Sequence, residues 1–153
     1  MFDAIVELNS LSGYSAWTLQ EIVEPRDGLY LHKWGFRPSS KESMGLAADS
    51  LTTVAFKTLK DTIAELQHSG RISALALDCE SCEWDMYHDI LSLDEPIQQV
   101  FMQMHGTPFV ANELFLNMQQ AGYVIFHREP SNDGEIYDYS WLRLAPSFFT
   151  RNV

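Results

Sequence analysis

Several features are scarce in this sequence, and each scarcity excludes a class of protein. No run of about 18 apolar residues occurs, so the sequence contains no candidate transmembrane helix. The start lacks a signal-peptide pattern, which makes a cytoplasmic location the default expectation. The two cysteines, Cys79 and Cys82, are too few for a disulfide scaffold and favour a reducing compartment. Glycine-rich phosphate-binding loops and the G-x-S-x-G of hydrolases are also missing.

Basic residues are outnumbered two to one. The chain has 10 Lys and Arg against 21 Asp and Glu, for a formal net charge of −11. Nucleic acids and anionic membranes would repel such a chain, so neither is an expected partner. By contrast, hydrophobic residues make up 46% of the 153 residues, which suits a folded core. We therefore expect one domain over residues 1–153.

Strands and helices are predicted to alternate along the chain. The helix after the loop at 37–49 has Thr58 and Asp61 as a capping box, then Leu59, Ile63 and Leu66 on one face. The nearly all-apolar run 72–77 is typical of a strand buried in a parallel sheet. Strands are predicted at 29–34, 72–77 and 99–104, helices from Thr58 to about Gly70, at 82–91 and at 110–121, and a hairpin from 123–126 and 137–142. This order predicts an α/β fold with a mainly parallel sheet that ends in an antiparallel hairpin.

Polar side chains follow the predicted strands at the edge where α/β proteins bind ligands. Asp78 comes directly after one strand, and it either anchors a ligand or caps the following turn. Glu80 and Glu83 come next, as acid–base groups or, for Glu83 in particular, as an anion in a first helical turn. His105 is a candidate general base or ligand, with a structural role as the alternative. His127 follows the next strand.

The sequence C-E-S-C at 79–82 has the spacing of a thiol redox motif. It lacks the usual Trp before and Pro inside such a motif, and no second cysteine pair completes a zinc site. Two packed thiols are the favoured interpretation, and a redox protein remains the alternative. Asp78, Glu80 and His105 offer mixed metal ligands, but nothing in their spacing demands a metal, and none is expected.

The segment L-D-C-E-S-C-E-W at 77–84 resembles the D-x-E-G-x-E-W segment of FkbM-related methyltransferase-like domains, in particular the eukaryotic methyltransferase-like group. The resemblance runs from about residue 30 to residue 144. Further stretches that agree with that group's pattern are 58–59, 66–68, 98–100, 104–105, 112–115, 122–127 and 139–144.

The resemblance implies a Rossmann-like class I fold that uses S-adenosylmethionine as its methyl donor. It places Asp3 at the end of the second strand of that fold, facing the cofactor ribose, with Asp78 as a second cofactor contact. The first strand and its glycine-bearing loop would then lie upstream of Met1. On that reading the strand at 72–77 lacks a neighbour, so the alternatives are marginal stability, self-association through an exposed sheet edge, or an incomplete gene model.

Two residues depart from the family pattern. Ser81 replaces a glycine in the turn after Asp78, and Gln103 replaces an acidic residue two positions before His105. The resemblance implies methyl transfer to an unknown acceptor, with Glu80 and His105 as the catalytic residues. The alternative is a non-catalytic interaction module of the same ancestry, which Gln103 favours.

Overall fold

The chain's computed structural model describes residues 5–9, 13–17, 29–32, 34–41, 55–67, 72–78, 82–131 and 134–150. The strands in these residues are β1 (Ile5–Asn9), β2 (Gly13–Trp17), β3 (Leu29–His32), β4 (Trp34–Phe36), β5 (Ala55–Lys57), β6 (Ala74–Leu77), β7 (Gln99–His105), β8 (Tyr123–Pro130) and β9 (Ile136–Arg143). The α-helices are α1 (Leu59–Glu65), α2 (Glu83–Leu91), α3 (Ala111–Gln120) and α4 (Pro146–Phe149), and a 3₁₀ turn covers Ser39–Lys41. No helix among these residues has the length and apolar character needed to cross a membrane.

The main sheet is mixed. Its strand order is β3-β2-β1-β6-β7-β9-β8, and a separate two-stranded sheet joins β4 to β5. In the four-stranded part formed by β6, β7, β9 and β8, one pair is parallel and the other two are antiparallel. The α/β class is therefore confirmed, but the prediction of a mainly parallel sheet is wrong. The physical reason is that strand direction is set by pairing between distant segments, and β1 with β6 and β7 with β9 both pair antiparallel.

The strand at the predicted exposed edge is covered. β6 pairs with β7 on one side and with β1, in antiparallel orientation, on the other. The prediction that the edge of the strand at 72–77 is exposed is therefore wrong, because β1 pairs with β6 on that side. The pairing joins Leu8 to Ala74 and Glu7 to Leu75.

The predicted helices form, with small changes at their ends. The Thr58 hydroxyl accepts a hydrogen bond from the backbone N–H of Asp61 at 3.1 Å, which confirms the capping interaction at the start of α1. This helix ends at Glu65, before Gln67 adopts a positive φ of 55°. The predicted stop at Gly70 lies outside the described residues. Gly122, with φ of 89°, follows α3 as predicted, because glycine adopts this backbone conformation without a steric penalty.

One face of β7 forms the centre of the core. Side chains alternate along this strand, and Val100, Met102 and Met104 are buried. Helix α2 contacts β7, while α3 contacts both α2 and β8. Leu114 and Met118 supply the buried stripe of α3 that the sequence predicts. This packing fixes the start of α2 against the end of β7, where the candidate site lies.

The run at 29–34 does not form one strand. β3 belongs to the main sheet, whereas β4 pairs in parallel with β5. The 3₁₀ turn that follows is hydrogen-bonded to α2. Both the backbone N–H and the hydroxyl of Ser39 donate to the carboxylate of Asp89. β1, β2 and β5 were not predicted.

Candidate functional site

The site lies where two neighbouring parallel strands end. Asp78 follows β6 directly, and His105 is the last residue of β7. Leu77 at the end of β6 pairs with Met102, and β7 continues three residues further to His105. The Nε2 atom of His105 lies 3.9 Å from Oδ1 of Asp78. The two side chains are 18% and 36% exposed, so both can be reached from solvent. The structure thus brings together two predicted site residues, Asp78 and His105.

Glu83 is the third member of this cluster. It is the first residue of α2, and its side chain is fully buried, with 0% exposure. Its Oε1 accepts a hydrogen bond from the backbone N–H of His105 at 2.7 Å. The same oxygen lies 3.1 Å from the ring Nδ1 of His105. One carboxylate oxygen therefore contacts both the backbone and the ring of the histidine.

Trp84, the next residue of α2, also contacts the backbone of His105. The indole Nε1–H of Trp84 donates to the backbone carbonyl of His105 at 2.8 Å. Trp84 is itself buried in the core. Two consecutive residues at the start of α2 thus bind the backbone N–H and C=O of His105. Such paired contacts limit how far the imidazole can move.

The predicted position of Glu83 in the first turn of a helix is confirmed, but the role predicted for it was incomplete. The residue does occupy the first turn of α2, where the helix dipole favours an anion. Its contact with His105, 22 residues further on, was missed. The sequence did carry a signal for this contact. The E-W pair at the end of the segment 77–84 begins α2, the helix that connects β6 to β7.

The remaining predicted site residues are Asp3, Glu80 and His127. Asp3 and Glu80 lie outside the described residues. His127 lies on β8, which β9 separates from β7, and its Nε2 is 3.5 Å from an oxygen of Glu129. His127 is 56% exposed, so it is a surface residue of the hairpin.

A cavity of about 280 Å³ opens beside Asp78. Gln103 and Asp138 line it, and the Gln103 side-chain amide donates to Asp138 at 3.1 Å. Phe101 adds an apolar wall. The cavity therefore combines apolar surface with a few polar groups, which is the usual composition of a small-molecule site.

The loop after His105 provides a second surface. Gly106, with φ of 71°, turns the chain, and a cavity of about 330 Å³ is lined by Thr107, Pro108, Phe109, Ala111 and Asn112. The Phe109 ring is fully exposed. This segment places an aromatic ring four residues after His105.

The cysteine prediction is corrected. Cys82, the N-cap residue of α2, is disulfide-bonded, and Cys79 is the chain's only other cysteine. The favoured interpretation of two packed thiols is therefore wrong for Cys82. The sequence could not decide this, because C-x-x-C spacing allows both states.

Metal-ligand geometry is not found in the part of the chain that the structure describes. No group of three or more His, Cys, Asp and Glu side chains there is arranged to hold a metal ion.

Comparison with known proteins identifies the family. The profile of the family described as "Methyltransferase domain" matches residues 14–143. No curated protein and no solved structure matches the chain. The matched range contains β6, α2 and β7 together with Asp78, Glu83 and His105. It covers most of the 153 residues and confirms the resemblance that the segment at 77–84 indicated. The chain belongs to the methyltransferase-domain family.

Proposed function

We propose that this chain transfers a methyl group from S-adenosylmethionine to an oxygen or nitrogen atom of an acceptor molecule. The observation that carries the proposal is the placement of Asp78 and His105, 3.9 Å apart, at the ends of two parallel strands in a chain of this family. The parallel pair β6–β7, connected through α2, supports a Rossmann-like arrangement around the site. Ligands in such folds bind beyond these strand ends.

The residues at the site are suited to the methyl donor. When bound, S-adenosylmethionine supplies an electrophilic methyl group, whose bond to sulfur breaks with its electrons remaining on sulfur. The donor carries a positive sulfonium and several hydrogen-bond donors, and the half-exposed carboxylate of Asp78 can accept from such groups. Asp78 also lines the cavity of about 280 Å³, which offers room beside it. We assign Asp78 to donor binding, with Asp3 as the second contact.

The acceptor side is assigned to His105 and Glu80. Nε2 of His105 faces the edge where Asp78 lies, so it can take the proton that an acceptor hydroxyl or amine loses as the new bond forms. The fully exposed Phe109 offers apolar surface to the acceptor. The rate would depend mainly on how well these residues align the acceptor atom with the methyl group.

Calorimetric titration with S-adenosylhomocysteine tests the proposal. We expect the chain to bind this product, and Asp78→Asn to weaken binding by about 10- to 150-fold, because a charge-assisted hydrogen bond contributes about 1.5–3 kcal/mol. Asp94→Asn is the matched control, since Asp94 is exposed on the loop after α2. The control should bind like the wild type.

Weaker binding by Asp78→Asn, with unchanged binding by Asp94→Asn, would support the assignment of Asp78 to the methyl donor. If the wild-type chain binds no S-adenosylhomocysteine, the enzyme proposal fails. The chain would then be a non-catalytic interaction module. Gln103, held by Asp138 where the family has an acidic residue, is the feature that favours this second candidate.

A further inference from the structure

We propose that Glu83 is a positioning residue that holds His105 in one tautomer, with the proton on Nδ1 and a free lone pair on Nε2. In this state His105 can only accept a proton at the site, so the methyl acceptor must have a proton to lose. A hydroxyl or an uncharged amine fits this requirement, whereas a thioether or a tertiary amine does not. The transfer of a proton from the methyl acceptor to Nε2 rests on the proposed function, whereas the tautomer of His105 does not.

The contact pattern of Glu83 determines which ring nitrogen donates. A carboxylate only accepts hydrogen bonds. Its Oε1 already accepts from the backbone N–H of His105 at 2.7 Å, and Nδ1 lies 3.1 Å from the same oxygen. Nδ1 must therefore carry its proton to make a favourable contact. A neutral imidazole has one donor and one acceptor nitrogen, so Nε2 is left as the acceptor.

The alternative tautomer has a weaker partner. In that state Nε2 would donate to Asp78, but the separation of 3.9 Å is too long for a hydrogen bond. It would also leave two lone pairs, on Nδ1 and on Oε1 of Glu83, facing each other in a buried place. Burial makes such a mismatch costly, because no water can separate the two groups.

The surroundings favour a charged Glu83. It is the first residue of α2, a helix of 9 residues, where the helix dipole stabilises an anion. Its side chain is fully buried, so its contacts are held in a fixed direction. The carboxylate contributes to function through His105, since no solvent reaches it directly.

Nitrogen-15 NMR of the imidazole rings tests the tautomer in the intact chain. The chain has five histidines, and His105 would be assigned by comparison with His105→Gln. At about pH 8, where an ordinary imidazole is neutral, we expect Nδ1 of His105 to give the signal of a protonated nitrogen and Nε2 that of an unprotonated one. A proton found mainly on Nε2 in the wild type would overturn the inference.

Glu83→Gln gives the matched comparison, because it keeps the side-chain volume and removes the charge. A neutral amide oxygen is a weaker acceptor, so the Nδ1–H population of His105 should fall. The signals of the exposed His127 should not change, which controls for general disturbance of the fold. An unchanged tautomer in this variant would show that Glu83 does not hold the ring.

Titration with S-adenosylhomocysteine separates this inference from the proposed function. Binding together with an Nε2–H tautomer would refute the positioning role and leave the methyltransferase proposal intact. An Nδ1–H tautomer in a chain that does not bind would refute the proposed function and leave the role of Glu83 standing.

Discussion

Tyr123 connects the C-terminal hairpin, through a hydrogen bond, to the segment that leads into β7, the strand that carries His105. It is buried at the start of β8, and its hydroxyl donates to the backbone carbonyl of Ile97 at 2.6 Å, two residues before β7. Tyr123→Phe removes this donor and leaves a buried carbonyl without its partner. The expected loss is about 1–3 kcal/mol of unfolding free energy, the usual cost of an unsatisfied buried group. For a chain of this size it corresponds to about 2–4 °C in Tm per kcal/mol.

The same hydroxyl gives this prediction a pH dependence. Burial raises the pKa of Tyr123 from 10.0 to about 12, although the nearby Arg143 acts in the opposite direction. Because the folded-state pKa is raised, this contribution to stability is complete below pH 10 and is lost as the pH rises to about 12. The full shift corresponds to roughly 2–3 kcal/mol.

Urea denaturation between pH 8 and 12 would measure both effects. The wild type should exceed Tyr123→Phe by about 1–3 kcal/mol at pH 8, and the difference should shrink by about 2 kcal/mol by pH 12. Tyr137→Phe is the control, since Tyr137 is only half-buried on the facing strand β9. A constant difference across this range would refute the reasoning, because it would show that the Tyr123 hydroxyl ionises equally in the folded and unfolded chains.

Three further predictions concern packing, capping and the disulfide. Leu114→Ala should cost about 2–5 kcal/mol by thermal or urea unfolding, whereas Leu116→Ala, 55% exposed on the same helix, should cost less than about 0.5 kcal/mol. Equal losses would mean that α3 does not bury the face described. Thr58→Ala should cost about 1 kcal/mol by removing the cap of α1, and Thr58→Ser should restore most of it; no loss in the alanine variant would contradict the capping role. Cys82 should resist alkylation by iodoacetamide until the folded protein is treated with a reductant, and immediate labelling would contradict the disulfide.

The C-terminal half of the fold could be predicted largely from local patterns. The runs at 72–77 and 99–104 are apolar and bounded by polar or turn residues, and helices 82–91 and 110–121 carry one apolar face each. These signals depend only on residues close in sequence. The hairpin was likewise predictable, because its turn-rich centre lies between two aromatic strands.

Apart from α1, the N-terminal half could not be predicted in this way. Whether β1 pairs with β6 depends on contacts between residues more than sixty positions apart, and no local pattern encodes such a pairing. The run at 29–34 shows the same limit, since its apolar residues suit one strand or two, and the division between β3 and β4 was decided by their different partners, β2 and β5.

The sequence by itself determined the family and the two polar residues that follow strands, Asp78 and His105. A strand end can be read from the chain because it follows a local change from apolar to polar residues. Only the tertiary structure decided what His105 contacts. The carboxylate of Glu83 and the indole of Trp84 reach it because α2 packs against β7, and packing is a property of the whole fold.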